Sequence, residues 1–62
     1  MSRPPVLIAL ARLLSRGYAI EARLGDRIAA EARADAHLRI GRLALVVEDD
    51  LDWVVLTKTL DR

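Results

Sequence analysis

Residues 42–58 read Arg42-Leu43-Ala44-Leu45-Val46-Val47-Glu48-Asp49-Asp50-Leu51-Asp52-Trp53-Val54-Val55-Leu56-Thr57-Lys58, two apolar, β-branched runs either side of an acidic turn. No other stretch limits the fold as much. Val46-Val47 and Val54-Val55 favour strands, and a four-residue turn from Asp49 to Asp52 sets Val47 opposite Val54, Val46 opposite Val55 and Leu45 opposite Leu56. Successive side chains of a strand point to opposite faces, so this pairing leaves both faces of the hairpin apolar. Each face then needs cover. A competing C-terminal helix from Asp50, with Trp53, Leu56 and Leu60 on one stripe, is disfavoured by the β-branched Val54, Val55, Thr57 and Thr59.

Cover for one face comes from the N-terminal segment. Pro4-Pro5 suits the first turn of a helix, and Val6, Leu10, Leu13 and Leu14 fall at i, i+4, i+7 and i+8, one helical face. Gly17 stands where a helix ends in the left-handed conformation, with Tyr18 placed to pack back on Leu13. The expectation is a helix over about 5–16.

Residues 18–34 carry two competing patterns. Ala, Glu and Arg favour a helix, but a single helix over 19–36 would put Glu31 within the Ile20 and Leu24 stripe. Tyr18, Ile20, Ala22 and Leu24 instead alternate with Ala19, Glu21 and Arg23, the period of a half-buried strand. The alternation continues through Ile28, Ala30, Ala32 and Ala34. A three-residue loop Gly25 to Arg27 pairs Leu24 with Ile28 and Ile20 with Ala32, so the reading is a hairpin of strands 18–24 and 28–33. Asp35 to Gly41 then connects to the third strand, with Leu38 and Ile40 at its start and Gly41 marking a bulge or bend. The whole is an α+β fold, the helix packed on a small antiparallel sheet of strands 18–24, 28–33, 42–48 and 53–58. One helix covers one face, and the second is expected to meet another chain.

Size points the same way. A chain of 62 residues forms one small domain, 1–62, whose apolar burial barely offsets chain entropy. It has no cysteine and one histidine, hence no disulfide and no zinc cluster; no cofactor motif is present, and a homodimer or other protein partner is the expected staple. No apolar run approaches the roughly 18 residues of a bilayer span. The opening Met1-Ser2-Arg3-Pro4-Pro5 lacks a signal-peptide pattern, so no membrane partner and a cytoplasmic location are expected.

Charge is divided along the chain. Residues 1–42 hold eight arginines against Glu21, Asp26, Glu31 and Asp35, and residues 43–62 hold Lys58 and Arg62 against Glu48, Asp49, Asp50, Asp52 and Asp61. Such asymmetry suits attraction between subunits or two faces for two partners. Glu48, Asp49, Asp50 and Asp52 lack the order of a calcium loop. His37 and Ser15 lie in no local catalytic signature, and an enzyme is not expected. Arg12, Arg16, Arg23, Arg27, Arg33, Arg39 and Arg42 are candidates to track phosphates as a basic ribbon does, although acids interleave with them and no aromatic stacks among them. Trp53 has the character of an interface anchor or of core filling. The acidic turn beside it suits an Arg-rich partner surface.

Leu13-Leu14-Ser15-Arg16-Gly17-Tyr18 followed by Gly25-Asp26-Arg27-Ile28 is similar, over residues 7–32, to the N-terminal docking domains of tubulysin-type nonribosomal peptide synthetases. The similarity ends after residue 33, where those domains continue into helices. The docking function of those domains is therefore not carried over, and a docking domain of a larger assembly stays as an alternative only. In size and lack of motif the chain also resembles the small accessory and anti-defence proteins of bacteriophages, which occupy a host protein's surface. The expectation is a non-catalytic, dimeric protein-interaction module of inhibitor or accessory type. Its candidate contacts are Trp53, Glu48, Asp49, Asp50, Asp52, Arg23, Arg27, Arg39 and Arg42, with a nucleic-acid-binding ribbon and a docking domain as the rival classes.

Overall fold

The computed structural model describes residues 5–60, with side chains from residue 8 onward. Five elements follow one another: α1 (Pro5–Ser15), β1 (Ala19–Leu24), α2 (Arg27–Arg39), β2 (Arg42–Asp49) and β3 (Asp52–Thr59). The class is α+β, with α1 packed on a three-stranded antiparallel sheet.

α1 forms where the apolar spacing places it and ends as its glycine dictates. Gly17 takes φ 97°, the Tyr18 amide donates to the Leu13 carbonyl at 3.0 Å and the Gly17 amide to the Leu14 carbonyl at 3.1 Å. These are the paired closing bonds of a Schellman cap. Leu10 is buried and Leu13 half-buried, but Leu14 is exposed, so the inward stripe is narrower than the spacing suggests. Pro4 and the side chain of Val6 lie outside the described residues.

β3 is the central strand, between β1 and β2 and antiparallel to both. Its pairing with β2 sets Val47 against Val54, Val46 against Val55 and Leu45 against Leu56, the register expected from the turn. Val54, Val55 and Leu56 are fully buried. Alternation sends Val54 and Leu56 to one face, where they cluster with Leu10, Leu13, Tyr18 and Val47. Val55 goes to the other, with Ala30, Ala34, Ala22, Leu24, Ala44, Val46 and Trp53.

The strand expected over 28–33 is not formed, and its residues belong to α2. Asp26 is not a turn residue of a hairpin but the N-cap, with β-region dihedrals and a side-chain oxygen accepting from the Ile28 amide at 3.2 Å. That satisfies an otherwise orphan donor of the first turn. Behind the cap, Ala, Glu and Arg propensity acts without opposition, and the i,i+4 pairs Arg27–Glu31 (3.0 Å) and Asp35–Arg39 (2.7 Å) brace the outer surface. Ala30 and Ala34, one turn apart, face the sheet and are buried; Ile28, which an alternating strand would turn inward with them, is 76% exposed. Leu38 and Ile40 do not begin a strand: Leu38 is in the last turn and Ile40 is the C-cap. Gly41 at φ 85° ends this helix rather than bulging a strand.

With α2 in place, the second face of the sheet is covered within the same chain. The expected open face for a second chain is therefore corrected: each face has its own helix, and what remains uncovered is the edge strands, the hairpin tip and the outer surface of the helices.

Candidate functional site

The candidate contact residues divide between the two sides of the sheet and the hairpin tip. Trp53 stands opposite both Leu24 and Glu48, on the α2 side. Its ring packs against the Ala30, Ala34 and Val55 cluster, and the Arg27 guanidinium lies over it at 5.6 Å from the ring centroid. Core filling thus accounts for Trp53, and Arg27, also bonded to Glu31, acts as its lid. Arg39 is tied to Asp35 on the exposed face of α2. Arg42 is exposed at the start of β2.

Arg23 and Asp49 meet on the α1 side. Arg23 is opposite Val54 on β3, and its Nη1 donates to Asp49 Oδ2 of β2 at 2.8 Å, so the ion pair crosses the central strand. This uses one carboxylate of the acidic set. Asp49 and Asp52 pair at the base of a two-residue turn, Asp50-Leu51. Asp50 stands in the left-handed region at φ 59°, a conformation that tight two-residue hairpin turns require. The tip presents Leu51, 84% exposed, beside exposed Asp50 and half-buried Asp52, with exposed Glu48 one pair below. Leu51 is the residue that the sequence reading passed over: an apolar side chain between three aspartates has no core to join, and that mismatch was its signal.

A polar cluster lies between β1 and α2. The register of β1 on β3 shifts between Ile20 and Ala22, a bulge that re-aims Glu21 toward the helix. Arg33 grips Glu21 with two bonds of 2.6 Å, and His37 Nε2 sits 3.0 Å from Glu21 Oε1. The Arg33 bonds hold the Glu21 carboxyl at about 2, against an ordinary 4.5; burial opposes them and the His37 contact adds to them. The cluster ties strand to helix across the crossover. His37 Nδ1 is buried without a hydrogen-bond partner.

Among the described residues the surface carries no pocket, no three acidic or histidine side chains converge to hold a metal ion, and no helix is long and apolar enough to cross a membrane. The Gly25-Asp26-Arg27 segment, part of the likeness to docking domains, caps a helix here instead of turning between strands. No family model matches the chain, and neither the curated proteins nor the solved structures compared with it give a match.

Proposed function

We propose that the chain is a non-catalytic protein–protein interaction module that acts by occupying a partner's surface, as an inhibitor or accessory protein of the kind phages carry, with the β2–β3 hairpin tip as its contact. The observation that carries this is Leu51, 84% exposed at the end of a two-residue turn. An exposed leucine held on a short turn loses little freedom on docking, and the carboxylates around it complement a partner with an apolar socket and a basic rim. The rival nucleic-acid reading has less support, because Arg23, Arg27, Arg33 and Arg39 are each engaged by a carboxylate of the chain itself. An arginine already paired gains less from a phosphate, and among the described residues this leaves Arg12, Arg16 and Arg42 of the seven candidates without such a pair. A docking domain of a larger assembly would use the same tip and differs only in being joined to its neighbours.

Capture from bacterial lysate tests the reading when wild type is run beside Leu51→Asp and Arg16→Gln. Leu51→Asp is expected to lose about tenfold or more of the captured partner, as the loss of an anchor does, while far-UV circular dichroism is unchanged and Arg16→Gln captures normally. Equal capture by Leu51→Asp, or retention of nucleic acid that falls steeply with salt, overturns it.

A further inference from the structure

The sheet has two edge strands, and only one is guarded. β1 is six residues long, bulged at Glu21 and charged at Glu21 and Arg23, features that blunt an edge against further pairing. β2 is longer and unbulged, and its charges stand only at its two ends. It runs eight residues in unbroken register with β3, has no proline, and carries five consecutive apolar residues, Leu43 to Val47, between Arg42 at one end and Glu48-Asp49 at the other. Among the described residues no strand pairs with its outer side.

The direction of its free main-chain groups follows from the turn. A two-residue loop makes Asp49 and Asp52 a hydrogen-bonded pair, and such pairs alternate along an antiparallel ladder. Val47, Leu45 and Leu43 therefore direct their amide and carbonyl groups to β3, while Arg42, Ala44, Val46 and Glu48 direct theirs outward.

We propose that β2 pairs antiparallel with β2 of a second copy of this chain, about a two-fold axis at Leu45, to give a continuous six-stranded sheet. In this register Arg42 faces Glu48 of the second copy, Leu43 faces Val47, Ala44 faces Val46, and Leu45 faces its own counterpart. Three features agree on it. Residues that face one another belong to the same side of the sheet, so the α1 layers and the α2 layers of the two copies each continue. Outward-directed residues meet outward-directed residues, which gives about eight main-chain hydrogen bonds. Opposite charges meet at both ends, whereas a parallel arrangement stacks Arg42 on Arg42. A one-residue slip mismatches the faces and the hydrogen bonds; a two-residue slip sets Arg42 or Glu48 opposite an apolar side chain. Leu45, exposed at 37%, becomes the centre of the interface. The pairing stands independently of the tip contact and adds to it, since the two hairpin tips point to opposite ends of the sheet and each dimer presents two.

Light scattering on the full chain, from micromolar to submillimolar concentration, tests the proposal. Wild type is expected at twice the 6.9 kDa chain mass, dissociating on dilution. Leu45→Lys sets like charges at the axis and is expected to be monomeric with unchanged circular dichroism. Arg42→Glu and Glu48→Arg each place like charges opposite one another and weaken the dimer roughly tenfold, while the double exchange Arg42→Glu/Glu48→Arg restores it; this exchange decides the matter if Leu45→Lys does not fold. A wild type that stays at 6.9 kDa throughout, a dimer that persists in Leu45→Lys, a dimer abolished by Ile28→Asp on the outer face of α2, or a double exchange no tighter than its single variants overturns the proposal.

Discussion

Leu56→Ala is expected to leave the chain largely unfolded at room temperature. Leu56 is fully buried on the central strand, between Ile20 of β1 and Leu45 of β2 in the ladder and in one cluster with Leu10 and Val54. Truncating a buried leucine costs about 3 kcal/mol through lost transfer energy and the cavity left behind. A chain of 62 residues has a total stability on the order of 3–9 kcal/mol, toward the low end when the domain is this small. The alanines facing the sheet from α2 are short and serve the opposite face, so they cannot close the cavity. Urea unfolding followed by Trp53 fluorescence measures the loss. Leu45→Ala, half-way to solvent on the edge strand, is the comparison and should cost about 1 kcal/mol or less. If the two variants prove equally stable, β3 is not the centre of the sheet.

Acid should weaken the fold through Glu21. Arg33 holds this carboxyl at about 2 in the folded chain, below its ordinary 4.5, so the folded state sheds the proton more readily than the unfolded one. Above the ordinary value both states are ionised and the contribution is complete. As the pH falls between the two values, the unfolded chain takes up the proton first, so stability drops; below about 2 the contribution is gone. Glu21 retains some exposure and Arg33 is half exposed, and screening reduces the contribution to about 1 kcal/mol. Glu21→Gln is therefore expected to be less stable than wild type at neutral pH, with the difference shrinking steadily as acid is added. Denaturant midpoints across the acid range measure it. A difference that stays constant with pH assigns the role of Glu21 to packing instead of charge.

The sequence reveals the hairpin down to its register because its determinants are local: β-branched runs, a short turn and alternating burial all lie within 42–58. The first helix is legible for the same reason, since proline, apolar spacing and Gly17 sit next to one another. α2 was hidden by a coincidence of periods. Ala30 and Ala34 satisfy strand alternation and one helical turn alike, and Ile28, the bulkiest apolar residue of 28–33, faces solvent and so favours the wrong pattern. A helix over the whole of 19–36 conflicts with the apolar stripe, whereas one that starts behind an Asp26 cap does not, and that capping position is the better signal. With that helix in place, Trp53 has a layer to pack into.

The candidate site was legible in part. The acidic turn was found, but Arg23–Asp49 and Glu21–Arg33 join residues on different elements, and nothing in local spacing announces them. Arg23, Arg27, Arg33 and Arg39, which look like part of a basic face in the sequence, are each paired with a carboxylate in the fold.

α2 closes the second face of the sheet, and the proposed contacts at the free edge and the tip rest on that closure. Residue-resolved amide hydrogen exchange tests this most directly. Slow exchange is expected at consecutive amides from Glu31 to Arg39, as a helix requires, with the slowest exchange of all in Val54–Thr57. Slow exchange at alternate residues across 28–33, or faster exchange in Val54–Thr57 than in β1, would contradict it.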